Sequence, residues 1–329
     1  MSVPIVEGRG LQMEFGGPSL FAPRRRPVRA VAGVDLAIGR GEALGLVGES
    51  GSGKSTIGRM LLRMSRPTAG AVLFDGQEIT RADRAALRPL RRRMQMVFQD
   101  PFASLNPRMD VGQAVAEGIA LHRIASGRAA RDRAAALLER VGLSPSFYHR
   151  RPAALSGGQR QRVAIARALA VDPDFIVADE PVSALDVSVG AEILNLLREL
   201  RRERQLALLF VSHDLGAVRT LCDRVIVLYL GRVMEEGSAA EVLRDPRHPY
   251  TRALLSASPG RPGEARGPRI LLQGEIPSPA APPSGCVFRT RCPSALPACA
   301  ETVPALRSLV DGRRAACIRD DVLSMDRVP

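Results

Sequence analysis

Lysine is the scarcest basic residue in this sequence of 329 residues: it occurs once, as Lys54, among 47 lysine and arginine residues. Long apolar runs are also missing, since the longest lie at residues 206–211 and 225–230. A membrane-spanning helix needs about 20 predominantly apolar residues. The sequence therefore predicts a chain that does not cross a bilayer by itself.

Aromatic residues make up only 4 % of the chain, and none is interleaved with the arginine clusters at residues 24–26, 91–93 and 201–202. A surface that stacks nucleic-acid bases requires such interleaving. The net charge of +13 is therefore assigned to solvated faces and to proximity to anionic lipid head groups. No nucleic-acid partner is expected.

The composition is that of an ordinary globular protein, with 45 % hydrophobic and 25 % charged residues. The length allows two domains, or one large α/β domain with an appendage. Residues 1–5 show no basic flank followed by an apolar core, so we expect no secretory signal and a cytosolic location.

A glycine-rich stretch at residues 48–56 follows the apolar run 43–47 and precedes a helical apolar pattern, which predicts strand, phosphate-binding loop (P-loop) and helix. Glycines let successive N–H groups point at a phosphate chain, and the helix dipole adds positive potential. Lys54 would reach the β- and γ-phosphates of ATP, and the Ser55 hydroxyl would bind Mg²⁺. The predicted binding residues are Gly48, Ser50, Gly51, Gly53, Lys54, Ser55 and Thr56.

Polar side chains follow three further predicted strands. Gln99 could orient water or contact Mg²⁺, and Asp179 suits a position beside Mg²⁺. Glu180 suits a general base that polarises an attacking water, and His213 could hydrogen-bond the γ-phosphate. Ligands of open α/β sheets gather at the carboxyl ends of strands. The predicted catalytic residues are therefore Gln99, Glu180 and His213, and the predicted Mg²⁺ residues are Ser55, Gln99 and Asp179.

A second anion-binding loop is predicted at residues 155–159, Leu-Ser-Gly-Gly-Gln, because it opens directly into a helical pattern. We call it the signature loop. A simple helix cap would explain Ser156 alone but not two anion sites in one chain.

Together these motifs resemble the ATP-binding subunit of ABC transporters over about residues 5–240. The resemblance implies an α/β fold: a P-loop NTPase (RecA-like) core with an antiparallel β subdomain and an α-helical signature subdomain. It also implies a head-to-tail dimer in which the signature loop acts on the partner's ATP and Asp186 crosses the interface. Phe15 fits the adenine-stacking residue. The nucleotide-binding residues implied on the signature side are Ser156, Gly157, Gly158, Gln159 and Asp186.

The finer resemblance is to the oligopeptide/dipeptide import branch, carried by residues 48–51, 94–107 and 247–251; residues 94–107 look most like the second of its two ATPase subunits. Such an importer has a second homologous ATPase, two membrane permeases and an extracytoplasmic peptide-binding protein. The chain would then lie peripherally on the cytoplasmic face of the membrane. Nickel and glutathione importers share these features, and a soluble ABC ATPase acting on nucleic acid or ribosomes is a more remote alternative.

The composition changes after residue 255, which predicts an ATPase domain at 5–255, with a helical subdomain at about 100–158, and a C-terminal extension at 256–329, which we call the tail. Residues 259–268 and 277–283 predict linkers. Clustered thiols in a cytosolic chain favour metal or redox ligands over disulfides. A [4Fe–4S] cluster, suggested by resemblance to tails of peptide-importer ATPases, and four reduced thiols both stay open, and zinc is the weaker alternative. The thiols are Cys286, Cys292, Cys299 and Cys317.

Overall fold

A computed structural model describes residues 3–17, 27–183, 185–258 and 269–324, without the side chains of Phe102 and Ala103. The arginine cluster at residues 24–26 and the predicted linker at 259–268 lie outside the described residues. No helix within the described ranges combines the length and apolar character needed to cross a bilayer.

The strands of the described residues are numbered in the order in which they occur along the chain. They are β1 (Val6–Phe15), β2 (Val28–Ile38), β3 (Ala43–Val47), β4 (Ala69–Phe74), β5 (Gln77–Glu78), β6 (Met94–Val97), β7 (Phe175–Asp179), β8 (Ala207–Val211), β9 (Arg224–Tyr229), β10 (Arg232–Ser238), β11 (Arg307–Ser308) and β12 (Arg314–Ala315).

The α-helices are likewise numbered along the chain, and short 3-10 turns lie at Pro145–Phe147, Pro152–Ala154 and Pro297–Ala300. The helices are α1 (Lys54–Leu61), α2 (Arg84–Arg93), α3 (Pro101–Ser104), α4 (Val111–Leu121), α5 (Gly127–Arg140), α6 (Gly157–Leu169), α7 (Val187–Arg204), α8 (Leu215–Leu221), α9 (Ala239–Val242), α10 (Pro249–Ala257) and α11 (Asp320–Ser324).

The strands form two sheets. A small antiparallel sheet has the order β2-β1-β4-β5, and a large sheet has the order β11-β12-β10-β9-β3-β8-β7-β6. Strands β6, β7, β8, β3 and β9 are parallel to their neighbours in that run. The P-loop NTPase fold with an added antiparallel subdomain, predicted from the sequence, is confirmed.

The central strands are buried on both faces, as parallel strands covered by helices must be. Every residue of β3, β7 and β8 is buried. Alternate residues of β3 enter different cores, with Ala43 and Val47 in one cluster and Leu44 and Leu46 in the other. This alternation follows the two-residue period of a strand, and it holds the sheet between two packed layers.

The carboxyl ends of β3, β6, β7 and β8 lie at one edge of the large sheet because these strands run parallel. Each is followed by a predicted site segment, at residues 48–56, 99, 179–180 and 213. The sheet topology therefore brings four separate sequence motifs to one edge, as the general rule for ligand sites in such sheets requires.

Helices α3, α4 and α5 fill the interval between β6 and α6. They pack on one another and on α6 through Val115, Ile119, Ala134 and Leu138, which are buried in the larger core cluster. The predicted bounds of the helical subdomain, at about 100–158, stay a prediction. The division of the chain at residues 255 and 256 stays a prediction.

The tail does not stand apart from the large sheet. Strand β12 pairs with β10, placing Ala315 opposite Glu235, and the Ala316 N–H donates to the Met234 carbonyl. Val287 and Phe288 are buried in the larger core cluster. The tail is therefore packed as a continuation of the ATPase core.

Candidate nucleotide-binding site

The P-loop encloses the Lys54 ammonium group. Lys54 Nζ donates to the carbonyl oxygens of Gly48 (2.7 Å) and Glu49 (2.9 Å). Its side chain is buried, and burial lowers the pKa of Lys54 despite the opposing carboxylates of Glu180, Asp179 and Glu49. An ammonium surrounded by carbonyls and carboxylates is placed to receive the oxygens of a phosphate chain.

Two P-loop glycines have conformations that a side chain would prevent. Gly53 has φ 99°, and a Cβ there would lie 2.3 Å from the Ala30 carbonyl oxygen. Gly48 has φ 151°, and a Cβ there would lie 2.1 Å from the Leu228 carbonyl oxygen. Glycine at these positions lets the loop turn closely against β2 and β9.

Ser55 and Asp179 meet across the site. Ser55 Oγ donates to Asp179 Oδ1 at 2.8 Å, and Asp179 is only 3 % exposed. Burial raises the pKa of Asp179, while the Ser55 hydrogen bond lowers it. A hydroxyl and a carboxylate in contact provide the hard oxygen ligands that Mg²⁺ prefers, so these two residues fit the predicted metal site.

The three predicted catalytic residues lie together. Gln99 Nε2 donates to Glu180 Oε2 at 3.1 Å, and His213 Nδ1 lies 3.3 Å from Glu180 Oε1. The Glu180 side chain is 17 % exposed, whereas His213 is 60 % exposed. The carboxylate is therefore held between an amide and an imidazole, with access to water from one side.

Glu180 also has an uncommon backbone conformation. Its φ is 47°, in the left-handed region, and its N–H donates to the Val211 carbonyl at 2.9 Å. A non-glycine residue with this conformation is strained, and such residues concentrate at functional sites. The turn takes the chain sharply out of β7 so that Glu180 faces Gln99 and His213.

The signature loop closes on itself at the start of α6. Ser156 Oγ accepts from the Gln159 N–H at 3.3 Å, and Gln159 Oε1 accepts from the Ser156 N–H at 3.0 Å. Ser156 is exposed. No hydrogen bond among the described residues joins residues 156–159 to the P-loop at 48–56.

Close packing connects the signature loop with the start of α7. A Cβ on Gly158 would lie 2.5 Å from Val189 Cγ1, and one on Gly157 would lie 3.8 Å from Leu185 Cδ2. Asp186 precedes α7 and is exposed, and its side chain makes no hydrogen bond to that helix. The exposed Ser156 and Asp186 are thus carried by two segments packed on one another.

Phe15 ends β1 and pairs with Val28 across the small sheet. Phe15 is 47 % exposed. The loop that follows, at residues 18–26, lies outside the described residues. Adenine stacking on Phe15 stays a prediction.

Sequence reasoning missed a set of contacts that reach the P-loop from the carboxyl-terminal part of the chain. The Tyr250 hydroxyl, on α10, accepts from the Glu49 N–H at 2.9 Å. Arg291, in the tail, donates to both carboxylate oxygens of Glu49, at 2.6 and 3.1 Å. The pattern at residues 247–251 indicates the importer branch, but nothing in it indicates this contact.

The tail cysteines converge on one small cavity of about 20 Å³, which His248 and Phe288 also line. Backbone N–H groups of Leu296 and Arg319 donate to the sulfurs of Cys299 and Cys317, at 3.4 Å each. However, within the described ranges no group of three or more His, Cys, Asp or Glu side chains is arranged to hold a metal ion. The cavity is lined by Cys286, Cys292, Cys299 and Cys317.

Burial acts in one direction on three of these thiols. It raises the pKa of Cys286 and Cys317, and it raises the pKa of Cys292 to about 11. Without a cation these three thiols are therefore protonated at neutral pH. Thiolate ligation requires these protons to be released. Cys222 is separate: it is buried beneath β3 against Gly45, as expected for a core residue.

The buried lysine in a glycine loop, the serine–aspartate contact and the glutamate between Gln99 and His213 define the class of protein as a P-loop ATPase. Residues 31–183 match the family model for the ABC transporter, and residues 234–299 match that for the oligopeptide/dipeptide transporter C-terminal region. The chain belongs to the ATP-binding proteins of ABC transporters, in the branch that carries this C-terminal region. The resemblance inferred from the motifs is confirmed.

Several named relatives are similar in sequence to this chain over nearly its whole length. A Brucella ovis protein, provisionally named a peptide import ATP-binding protein, is 52 % identical over 97 % of this chain and 99 % of its own length. The oligopeptide transport ATP-binding protein AppF of Bacillus subtilis is 50 % identical over 91 % and 92 %. The dipeptide transport ATP-binding protein DppF of Haemophilus influenzae is 43 % identical over 97 % and 98 %.

Solved structures of ABC proteins are similar in fold to this chain. The ATP-binding cassette MJ0796, in a dimeric post-hydrolysis state bound to ADP and Pi, matches with a TM-score of 0.65 and 33 % identity, covering 71 % of this chain and 98 % of that chain. The cbiO1 protein of Clostridium perfringens, part of an ABC transporter complex, matches at 0.64 and 30 % identity, covering 74 % and 92 %. This chain is accordingly an ATP-binding ATPase of the transport-coupled kind, and its family implies dimeric cassettes and membrane permease partners.

Proposed function

We propose that this chain is the ATP-hydrolysing motor subunit of an ABC importer for di- or oligopeptides. The observation that carries the proposal is the match of residues 234–299 to the oligopeptide/dipeptide transporter region. This region is integrated with the ATPase core through Tyr250 and Arg291, which both contact Glu49. The names of the oligopeptide and dipeptide relatives support the same cargo class.

In the proposed mechanism, Lys54 and the P-loop N–H groups bind the β- and γ-phosphates. Glu180 polarises the attacking water, while Gln99 and His213 hold it in line with the γ-phosphate. Ser55 and Asp179, with Gln99, would hold Mg²⁺, whose charge offsets that of the phosphates. Buried, fixed polar groups suit this reaction because catalysis here depends on positioning and electrostatic stabilisation.

The signature loop serves the nucleotide of a partner chain in this proposal. Ser156, Gly157, Gly158 and Gln159 would contact the partner's ATP, and Asp186 would cross the interface. We propose that the partner is a second, homologous ATPase subunit. Two permeases and an extracytoplasmic peptide-binding protein would complete the importer, with this chain peripheral on the cytoplasmic face of the membrane.

Labelled dipeptide uptake tests the cargo. Cells carrying either the intact chain or Glu180→Gln as the sole copy are compared, with nickel uptake and glutathione uptake measured in parallel. Loss of dipeptide uptake alone in the variant supports a peptide importer. Unchanged dipeptide uptake with lost nickel or glutathione uptake would retain the motor and overturn the peptide cargo.

A role on nucleic acid has only the net charge of +13 in its favour. Electrostatic binding to nucleic acid weakens steeply with salt. We therefore expect the purified chain to show no salt-sensitive binding to single- or double-stranded nucleic acid. Such binding would favour the alternative of a soluble ABC ATPase.

We further propose that the four tail thiols ligate a [4Fe–4S] cluster. Support comes from their convergence on one cavity and from the backbone N–H groups directed at two of the sulfurs. A cluster spreads four cysteine ligands around a body larger than a single ion. Its assembly would require the present thiol arrangement to open.

Iron and acid-labile sulfide analysis of anaerobically purified chain tests this proposal. We expect about four irons and four sulfides per chain, and loss of both in Cys292→Ser. Cys222→Ser is the matched control because that thiol lies apart from the cavity. Folded, metal-free protein would show instead that the tail packs four reduced thiols.

A further inference from the structure

Glu49 is the one P-loop residue whose backbone and side chain are both bound by the carboxyl-terminal part of the described chain. Its N–H donates to the Tyr250 hydroxyl, and its carboxylate accepts both terminal nitrogens of Arg291. Arg291 lies 242 positions away in the sequence. Neither contact takes part in the hydrolysis chemistry assigned above.

The ion pair is specific and largely removed from solvent. Two parallel N–H···O bonds form the bidentate geometry that arginine makes with a carboxylate. The Arg291 side chain is 9 % exposed and that of Glu49 is 23 % exposed. The pair therefore differs from surface ion pairs, which are screened by water and contribute little.

A cluster of aromatic residues packs beneath the ion pair between Glu49 and Arg291. Tyr229 and Tyr250 pack edge to face, with ring centroids 4.8 Å apart, and Phe288 lies 5.3 Å from Tyr229. The Arg291 guanidinium lies 5.9 Å from the Tyr229 ring centroid. Tyr229, Tyr250 and Phe288 are at most 1 % exposed, so the support beneath the P-loop is a packed core.

The Glu49 carboxylate lies in a loop that must receive a polyanion. The Glu49 carbonyl accepts a hydrogen bond from Lys54 Nζ, which ties this residue to the ammonium assigned to the phosphates. An unpaired carboxylate at this point would repel ATP, because Coulomb interactions are strong where water is partly excluded. Arg291 cancels that charge.

We propose that Arg291 is a positioning residue of the ATP site: it neutralises the Glu49 carboxylate and, with Tyr250, holds the P-loop in the shape that receives the phosphate chain. The tail is thereby a functional part of the nucleotide site. The inference depends on ATP binding, which the family establishes, and not on the identity of the cargo.

The test measures the dissociation constant of MgATP on the purified full chain by calorimetry. We expect Arg291→Gln to weaken binding about tenfold, the effect of losing a charge-assisted interaction and exposing a like charge. Glu49→Gln should bind ATP as tightly as the wild type or more tightly. The double variant Glu49→Gln with Arg291→Gln should recover most of the loss.

Arg289→Gln is the matched control. It carries the same change of charge two positions earlier, and its side chain donates to the carbonyl and hydroxyl oxygens of Ser284 within the tail. It should bind ATP like the wild type. Thermal unfolding of all variants separates loss of affinity from loss of fold.

Unchanged affinity in Arg291→Gln would overturn the proposal. Equal weakening by Arg291→Gln and Glu49→Gln, without recovery in the double variant, would also overturn it, because a purely structural ion pair behaves in that way. If Arg291→Gln does not fold, the MgATP affinity of Glu49→Gln decides the question. Weaker binding of MgATP by that variant would contradict the proposed neutralisation of the Glu49 charge. Arg291→Lys, which keeps the charge but loses the bidentate geometry, should bind with intermediate affinity.

Discussion

Two glycine-rich loops of this molecule each open into a helix, the P-loop into α1 and the signature loop into α6. The P-loop is enclosed: Lys54 is bonded by the loop's own carbonyls, and Tyr250 and Arg291 bind Glu49 from outside. The signature loop is bonded to itself through Ser156 and Gln159, with Ser156 exposed.

The difference shows that similar local sequences can form one loop that is enclosed by its own chain and one loop that is exposed. The P-loop already has its lysine, its carboxylates and its supporting core within one chain. The Ser156 hydroxyl accepts a bond within the cap but keeps its own proton to donate. Such a loop suits a ligand that arrives on another surface, which agrees with the dimeric cassette among the structural relatives.

The largest effect is expected from Glu180→Gln, which removes the proposed base but leaves both loops intact. ATP hydrolysis by the assembled ATPase pair should fall by about 10²–10⁴-fold, the usual contribution of a general base, with little change in ATP affinity. Phosphate release measures the effect. Glu203→Gln, an exposed carboxylate paired with Arg140, is the control, and wild-type turnover in Glu180→Gln would refute the assigned base.

The P-loop side is tested by Lys54→Ala. MgATP affinity of the single chain should fall about 10- to 100-fold, because charge-assisted hydrogen bonds to the phosphates are lost. Lys54→Arg should not restore it, since a planar guanidinium does not fit the place of a compact ammonium. Arg88→Ala, on exposed α2, controls for the loss of one positive charge. Full binding by Lys54→Arg would contradict the assigned geometry.

Ser156→Ala tests the signature loop, and it should distinguish the role of this loop from that of the P-loop. ATP affinity of the single chain should stay unchanged, while turnover of the pair falls about tenfold through loss of one phosphate hydrogen bond. The free energy of unfolding should fall by about 1 kcal/mol because a helix cap is lost. Ser144→Ala, which removes a cap in the same helical region, is the control; weaker ATP binding by the Ser156 variant alone would place this loop at its own chain's nucleotide.

The last prediction concerns stability in acid, not ATP binding or turnover, and it rests on the anchoring of α10, which has no counterpart at the signature loop. His248 is 1 % exposed, its Nδ1 accepts from the Tyr250 N–H, and burial lowers its pKa to about 4. Between pH 6.5 and 4 the unfolded chain binds a proton that the folded chain does not. This histidine should therefore cost about 3 kcal/mol of unfolding free energy over that window.

His248→Asn keeps an acceptor at the cap but removes the titration, so it should lack this acid-dependent loss. Unfolding measured by denaturant at several pH values, against the wild type, isolates the effect. The buried Glu235, whose pKa is raised by burial, acts with the opposite sign and is common to both proteins. Identical pH profiles would show that His248 does not titrate in this window.

Much of the site was predictable from sequence because its parts are local patterns at strand ends. The P-loop, Gln99, Glu180 and His213 each follow an apolar strand, and parallel strands place such ends at one edge. The structure brings the last three into contact.

Other features of the fold could not be predicted, because they leave no local pattern in the sequence. Strands β11 and β12 have two residues each, too few to show a two-residue period. The left-handed backbone of Glu180 depends on how β7 meets β8, because its N–H is bonded to Val211. Short pairings and strained turns of this kind are decided by the neighbours they meet.

The sequence by itself predicted the chemistry, namely which residues would bind phosphate and which carboxylate would act as a base, and it showed that four thiols are clustered near the end of the chain. These follow from residue type and spacing along a few consecutive positions. Only the tertiary structure decided that the carboxyl-terminal part of the chain supports the P-loop, through Tyr250 of α10 and Arg291 of the tail. An ion pair between positions 242 residues apart imposes no periodicity on either segment, so its formation depends entirely on the packing that brings them together.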